Sequence, residues 1–156
     1  NPPMILSGLL GQVQEVYTSF GWREKQVYTK ITHHISVTVE AIFLEDQSLS
    51  EDNHYVWAYQ IWIENQGSES VQLLSRTWRI TDANGILHEV KGEGVVGEKP
   101  WITPGTIYHY TSGTPLSTPS GLMEGVYHMK TKAGEDFDVE IPAFSLDSPY
   151  ETVVVH

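Results

Sequence analysis

Apolar side chains recur at every second position through most of the chain after residue 27, and this period is typical of β-strands with one buried face. Within residues 35–43 every odd-numbered position is apolar, whereas Ser36, Thr38 and Glu40 occupy three of the four even-numbered positions. The alternation therefore predicts a half-buried strand. Similar patterns predict further strands at Tyr55–Ile63, Leu74–Ile80, Ile86–Val90, Tyr108–Tyr110, Val126–Lys130 and Phe137–Ile141.

Turn-forming residues separate these segments. Asn65-Gln66-Gly67 and Lys132-Ala133-Gly134-Glu135 each follow an alternating stretch, and the Asn84-Gly85 pair supplies positive backbone φ at low cost between two others. Short strands joined by such turns are typical of an all-β protein with a two-sheet antiparallel β-sandwich. The regular alternation of strands with helices that a parallel sheet requires is absent from the sequence.

Residues 5–20 have a different period. Ile5, Leu9, Val13, Val16 and Phe20 recur at helical spacing, so they would form one apolar stripe. Two glycines within the segment weaken such a helix by about 1 kcal/mol each relative to alanine. We therefore predict an amino-terminal arm, residues 1–26, that is partly helical when packed against a surface, followed by the β-sandwich domain, residues 27–156.

The composition narrows the possible functions. The 156-residue chain carries 20 acidic and 9 basic residues, for a formal charge of −11. This excess of negative charge disfavours both nucleic acid and anionic lipid as partners. There is no cysteine, so disulfides and thiolate chemistry are excluded and a reducing compartment is favoured. No apolar run is long enough to predict a membrane span, and the expected location is the cytoplasm.

The segment Gly92–Gly97 has the spacing Gly-x-Gly-x-x-Gly, which is found in loops that bind phosphate groups. Such loops depend on a helix that starts directly after them. Here Pro100 and Pro104 follow and disfavour a helix, so we predict a structural turn. The alternative is a loop that binds a nucleotide polyphosphate, with or without a divalent metal, through Gly92, Gly94, Gly97, Lys91, Lys99 and Arg76.

Arg76 also has a second interpretation. It alternates with Trp78 on one face of the predicted third strand, together with Leu74 and Ile80. The guanidinium group could cover core aromatic rings, which is the favoured interpretation, or it could present a fork for a carboxylate ligand.

Histidines and carboxylates raise the question of a metal site. His33 and His34 are adjacent and would point to opposite faces of a strand, although His109 and His128 could converge across paired strands. Asp136, Asp138 and Glu140 form a row that could attract a cation, but an exposed strand face explains the same pattern. We predict no metal site and no cofactor.

No catalytic motif is present, so the sequence predicts a protein that is not an enzyme. Five tryptophans and eight tyrosines are more than one sandwich core needs, and exposed aromatic rings often mark contact surfaces. We therefore predict a protein-binding surface at Trp101, Tyr108 and Tyr110, with an unidentified protein or a second copy of the chain as partner. The competing interpretation makes Trp101 a buried core residue.

Motifs spread over residues 28–146 resemble those of the ApaG family. They comprise Val71–Trp78, Asp82, Gly85, Val90–Gly97, Pro100, Pro104-Gly105, Tyr110–Gly113, Thr118-Pro119, Gly121, Met123–Gly125, Tyr127, Met129, Phe137 and Ile141–Phe144. The resemblance implies an immunoglobulin- or fibronectin-III-like sandwich. It also implies an association with cobalt tolerance and magnesium efflux in bacteria, and protein-interaction roles for similar domains in eukaryotes. It supplies no catalytic residue.

Overall fold

A computed structural model describes residues 26–150, and within this range the chain forms nine strands and two short 3₁₀ turns. The predicted helix at residues 5–20 lies outside the described residues. The strands are β1 (Val27–Thr32), β2 (Ile35–Phe43), β3 (Tyr55–Asn65), β4 (Val71–Asp82), β5 (Leu87–Glu93), β6 (Trp101–Ile102), β7 (Ile107–Leu116), β8 (Gly121–Thr131) and β9 (Asp136–Leu146). The 3₁₀ turns are Glu45–Gln47 and Ser50–Asp52. No helix within residues 26–150 is long and apolar enough to cross a membrane.

The strands form two antiparallel sheets. Sheet 1 has the order β1-β2-β3-β7, and sheet 2 has the order β5-β4-β8-β9, with the short β6 also paired to β4. β5 pairs with residues 75–81 of β4, and β6 pairs with residues 71–72 of the same strand. β6 therefore continues this edge of sheet 2 beyond the end of β5. This arrangement confirms the predicted two-sheet sandwich.

The core lies between the inner faces of the two sheets. Its largest fully buried side chains include Trp57 from sheet 1 and Tyr127 and Phe144 from sheet 2. Tyr59 and Trp78, from opposite sheets, meet edge to face with ring centroids 5.4 Å apart. Burial of such large aromatic groups supplies most of the stability of a sandwich of this size.

The register of β4 differs from the prediction at one position. Leu73, not Leu74, is fully buried, because a β-bulge shifts the pairing with β8 between Leu73 and Ser75. After the bulge, Arg76, Trp78 and Ile80 share the inner side, as predicted. Simple alternation could not reveal an extra residue in the strand.

β2 is more buried than a strand with one solvated face. Glu40 is only 2% exposed and Ser36 is 6% exposed, although both lie on the outer side of sheet 1. Gln60 donates a hydrogen bond from Nε2 to the Glu40 carboxylate at 3.0 Å. On the same side, Ile42 packs with Leu44 and Ala58 in a second, smaller apolar cluster. The prediction that the even-numbered positions face solvent is therefore wrong for β2.

The turn between β4 and β5 is organised by the Asp82 carboxylate. Its oxygens accept hydrogen bonds from the backbone N–H groups of Asn84 at 2.9 Å and Ile86 at 3.1 Å, and lie 3.1 Å from Nε2 of His88. The hydrogen bond with His88 is the main cause that lowers the pKa of Asp82 from its ordinary value of 3.8. The backbone donors lower the pKa further, while desolvation opposes them.

This lowered pKa predicts acid sensitivity. Because the carboxyl group has a lower pKa in the folded state, its stabilising effect is complete above pH 3.8 and is lost as the pH falls through the folded-state value. We expect Asp82→Asn to lower the free energy of unfolding at pH 7 and to have a smaller effect at pH 3, below the ordinary pKa of 3.8 that the group has when unfolded. Urea unfolding of both proteins at the two pH values measures this, and an equal difference at both would contradict the assignment.

Candidate functional site: the glycine hairpin and its pocket

The Gly92–Gly97 segment forms a tight hairpin at the end of β5. Val95 and Glu98 pair across it, and the two residues between them, Val96 and Gly97, have φ values of 41° and 83°. Two consecutive positive φ values are the signature of the type I′ geometry of two-residue hairpins. The next regular element is the strand β6, so the helix that a phosphate-binding loop requires does not follow.

Two glycines of the hairpin have close contacts where a Cβ would lie. A Cβ at Gly92 would lie 2.8 Å from Nη1 of Arg76, so it would displace the end of this flexible side chain. A Cβ at Gly94, where φ is +60°, would lie 2.1 Å from the backbone carbonyl oxygen of Glu98. Gly94 is therefore required both by its backbone conformation and by this contact.

The backbone N–H groups of the hairpin donate hydrogen bonds to other backbone groups of the protein. The N–H groups of Gly94, Val95 and Glu98 donate to the carbonyl oxygens of Leu74, Glu98 and Val95, respectively, at 2.7–2.9 Å. Three donors that could have contacted a phosphate are thus engaged by the backbone. This geometry favours the structural interpretation of the glycine pattern.

The nearby lysines are also engaged. Nζ of Lys99 lies 2.9 Å from the Glu93 carboxylate, and this hydrogen bond and charge lower the pKa of Glu93. Nζ of Lys91 lies 3.9 Å from Glu89. Both candidate lysines therefore have a carboxylate nearby that offsets part of their charge.

Val95 and Val96 have different roles in the hairpin. Val95 is fully buried in the main core, whereas Val96 is half-buried and packs at its edge. A valine at φ 41° is an uncommon backbone conformation for a β-branched residue and costs about 1–3 kcal/mol. The buried neighbour and the cross-hairpin hydrogen bonds hold this strained residue in place.

Arg76 joins the hairpin to sheet 2. Its Nη1 donates hydrogen bonds to the carbonyl oxygens of Glu93 and Gly94, so the guanidinium group lies over Gly92 on the neighbouring strand. The favoured prediction, that Arg76 covers core aromatic rings, did not include these hydrogen bonds. Through them, Arg76 fixes the carbonyl groups where β5 enters the hairpin.

A pocket of about 340 Å³ lies beside this arginine, between the two sheets. Sheet 1 contributes Tyr59, Ser112 and Pro115 to its lining, and sheet 2 contributes Arg76, Trp78 and Val90. Its volume lies within the range of about 300–1,000 Å³ that is usual for small-molecule sites.

Buried tyrosines lie in and beside this pocket. The hydroxyl groups of Tyr110 and Tyr127, on β7 and β8, hydrogen-bond to each other across the core. Desolvation raises the pKa of both groups well above the usual value for tyrosine, and it also raises the pKa of Tyr59. All three phenols are therefore neutral at physiological pH, and the positive charge of Arg76 offsets only part of the shift.

The three residues of the predicted protein-binding surface are not equivalent. Trp101 is 50% exposed, while the next residue, Ile102, is fully buried. Tyr108 is half-buried and donates a hydrogen bond to the Glu98 carboxylate at 2.7 Å. Tyr110 is only 6% exposed and belongs to the core. The structure therefore removes Tyr110 from the surface, and it contradicts the interpretation of Trp101 as a buried core residue.

The histidines within residues 26–150 are not grouped as a metal site would need. His109 stacks on Trp62 of sheet 1, with ring centroids 4.8 Å apart, and desolvation lowers its pKa. His128 lies on sheet 2, between Thr77 Oγ1 at 3.0 Å and the Asp138 carboxylate at 2.8 Å. The hypothesis that His109 and His128 converge across paired strands is therefore wrong, because β7 and β8 belong to different sheets. Among residues 26–150, no group of three or more metal-ligating side chains is placed to hold an ion.

The carboxylate row of β9 faces solvent and pairs with basic groups. Asp136 lies 3.7 Å from Lys130, and Glu140 lies 3.1 Å from Lys30. On the opposite side of the strand, Val139 and Ile141 are buried. These observations confirm the interpretation of the row as an exposed strand face.

Sequence reasoning missed several residues of the pocket. Tyr59 and Ser112 face each other on paired strands of sheet 1, and a Ser112 hydrogen bond lowers the Tyr59 pKa against the effect of burial. This pairing of residues far apart in the sequence could not be predicted, because alternation does not give the order of strands in a sheet. The spacing of Arg76 and Gly92 on neighbouring strands was a usable signal, because the Asn84-Gly85 turn between them fixes approximate pairing.

The fold and site together define a class of protein: an antiparallel β-sandwich in which a Gly-x-Gly-x-x-Gly hairpin, held by an arginine of the adjacent strand, borders a pocket between the sheets. The model of the ApaG domain family matches residues 45–131. The chain therefore belongs to the ApaG family, as the sequence resemblance predicted.

Relatives support this assignment over most of the chain. Protein ApaG of Parvibaculum lavamentivorans is 54% identical over 130 residues, covering 83% of this chain and 100% of the relative. Protein ApaG of Paramagnetospirillum magneticum is 58% identical over 125 residues, covering 80% of this chain and 96% of the relative.

Solved structures share the fold. An X-ray structure of a structural-genomics target superposes with a TM-score of 0.71 at 46% identity, covering 79% of this chain and 93% of that chain. A crystal structure of an ApaA protein from Bordetella pertussis gives a TM-score of 0.70 at 38% identity, covering 82% of this chain and 98% of that chain.

Proposed function

We propose that this protein is a cytoplasmic, non-enzymatic module of the ApaG type that binds another protein through the surface around Trp101. The observation that carries the proposal is the half-exposed Trp101 side chain on the edge strand β6. Tryptophan is among the residues that contribute most to protein interfaces, so an exposed tryptophan on a fixed backbone is a suitable anchor.

The backbone around Trp101 is held firmly. The carbonyl oxygen of Pro100 accepts a hydrogen bond from the N–H of Leu73 at 3.0 Å, and Gln72 donates from Nε2 to the carbonyl oxygen of Lys99 at 3.2 Å. The buried Ile102 anchors the other side of Trp101. A partner therefore meets a pre-ordered side chain, which reduces the entropic cost of binding.

A protein partner also fits the family's association with cobalt tolerance and magnesium efflux better than direct ion binding does. The described residues lack a cluster of metal ligands. We therefore propose that any contribution to metal tolerance is exerted through the bound partner. The alternative, a nucleotide-polyphosphate sensor at Gly92–Gly97, has less support because the hairpin donors and lysines are already engaged.

Trp101→Ala separates the interface from a structural role. We expect recovery of partner proteins from a native lysate to fall sharply, while the free energy of unfolding changes by no more than about 1 kcal/mol, because the side chain is half exposed. Affinity capture with mass spectrometry and urea unfolding give the two measurements. Sedimentation of the purified chain shows whether the partner is a second copy.

Leu122→Ala is the matched control, because Leu122 is 45% exposed on β8 rather than on β6. It should recover the same partners as the unchanged protein. Two results would exclude Trp101 from the interface. The first is that Trp101→Ala recovers as much partner protein as the unchanged chain does. The second is a loss of stability of about 3 kcal/mol or more in Trp101→Ala, which is typical of truncating a buried tryptophan. Melting curves with ATP test the alternative, and we expect no saturable shift.

A further inference from the structure

Among residues 26–150, Arg76 has no carboxylate partner, and it lines the pocket between the sheets. Seven basic side chains other than histidine lie within residues 26–150, and five of them have a carboxylate within 4.0 Å: Lys30, Arg79, Lys91, Lys99 and Lys130. Of the two others in this range, Lys132 is exposed in the turn between β8 and β9, whereas Arg76 is half-buried. A half-buried cation without a counter-ion is costly, and in so acidic a chain it marks a position where an anion is favoured.

The groups around Arg76 do not supply that negative charge. The phenols of Tyr59 and Tyr110 remain neutral at physiological pH, since burial raises the pKa of each. The Glu93 carboxylate, although near, pairs with Lys99 instead. Among residues 26–150, Arg76 forms hydrogen bonds only through Nη1, to two backbone carbonyl groups. Its other guanidinium N–H groups are thus available as a planar donor fork.

We propose that the pocket between the sheets binds a small organic monocarboxylate, with the carboxylate group at Arg76 and an apolar body against Trp78, Val90 and Pro115. These three residues line the same pocket. An arginine fork with aromatic and aliphatic walls is the usual composition of a site for such a molecule. This inference goes beyond the proposed protein-binding surface, because none of these residues belongs to β6.

The charge distribution favours a monocarboxylate over a phosphate. One guanidinium group is matched by one negative charge. The carbonyl oxygens of Glu93 and Gly94, which accept hydrogen bonds from Arg76, place partial negative charge beside the guanidinium group and disfavour a second negative charge there. The strained residue Val96 also lines the pocket, and stored backbone strain is found most often at ligand sites.

The strand β5 offers a matched pair of variants. Val90 pairs with the buried Trp78, so its side chain lies on the pocket side, where it is 48% exposed. Leu87 pairs with Thr81, so its side chain lies on the opposite side of the strand, where it is 58% exposed. Both side chains tolerate a charge without burying it. Val90→Glu therefore adds a negative charge to the pocket, and Leu87→Glu adds the same charge elsewhere.

The probe is 3-phenylpropanoate, added to the full chain and followed by calorimetry and by chemical shifts of the indole N–H groups. We expect saturable binding that weakens at least about tenfold in Val90→Glu, by repulsion, and changes less than about twofold in Leu87→Glu. The neutral analogue 3-phenylpropan-1-ol should bind at least about tenfold more weakly than the acid, because it lacks the charge that Arg76 recognises. Inorganic phosphate should not compete.

Three results with 3-phenylpropanoate and its alcohol analogue would each overturn the proposal. The first is a lack of saturable binding of the acid up to its solubility limit. The second is equal affinity of Val90→Glu and the unchanged protein for the acid, and the third is equal affinity of the unchanged protein for the acid and the alcohol. Competition by phosphate with the affinity of the acid would equally overturn the proposal, in favour of an anion site without selectivity for carboxylates. Because Val90 is not part of the Trp101 surface, partner recovery by Val90→Glu tests the protein-binding function independently.

Discussion

Replacing Gly94 with alanine is expected to destabilise the protein by about 2–5 kcal/mol. The left-handed backbone at φ +60° costs a residue with a Cβ about 1–2 kcal/mol. The new Cβ would also lie 2.1 Å from the carbonyl oxygen of Glu98, so the hairpin must move, and forced repacking of this kind costs about 1–3 kcal/mol more. Urea or thermal unfolding of the purified variant measures the sum.

Gly97→Ala is the matched control for this prediction. Its φ is +83°, but no atom lies within 4 Å of the position where a Cβ would be placed. We therefore expect only the backbone cost of about 1–2 kcal/mol. If the two variants lose the same stability, the close contact at Gly94 has no energetic consequence and the steric explanation fails.

The second large effect is expected at the paired hydroxyl groups of Tyr110 and Tyr127. Either residue changed to phenylalanine leaves the other hydroxyl group buried without its partner, which costs about 1–3 kcal/mol. The double variant removes both polar groups, so it should cost no more than the larger single change. The free energies of unfolding of the four proteins form a double-mutant cycle that measures this coupling.

Tyr28→Phe serves as the reference for loss of an exposed hydroxyl group. Tyr28 donates to Oε1 of Gln26 at the surface, at 2.6 Å, so we expect a change within about 0.5 kcal/mol. Additive effects of Tyr110→Phe and Tyr127→Phe would show that the two hydroxyl groups do not depend on each other, and would contradict the prediction.

Much of the fold was predictable because it depends on local pattern. The alternation in β3 and β9, and the turn at Lys132–Glu135, correspond to the observed strands and to the loop between β8 and β9. What alternation could not show was the position of a single inserted residue. The bulge in β4 places Leu73 in the core instead of Leu74, and it depends on pairing with β8, about 50 residues away.

The site was less predictable, because it is assembled from distant strands. The sequence correctly indicated that the prolines after Gly97 disfavour a helix, since the next regular element is the strand β6. It could not show that the hydroxyl groups of Tyr110 and Tyr127 would meet in the core. Alternation assigns a residue to a face, but whether that face is buried depends on which strand packs opposite it.

β5, which leads into the hairpin and lines the pocket, is an edge strand of sheet 2. It pairs with β4 alone, and six of its seven residues are exposed. Such a strand can separate from the sheet while the remaining strands stay folded, so its amide protons should exchange with solvent through local opening rather than global unfolding. Since β5 carries Val90 and leads into the hairpin, one wall of the pocket belongs to an exposed edge strand of the sandwich. Any molecule bound there would therefore slow the local opening of β5 and the hydrogen exchange of its amide groups.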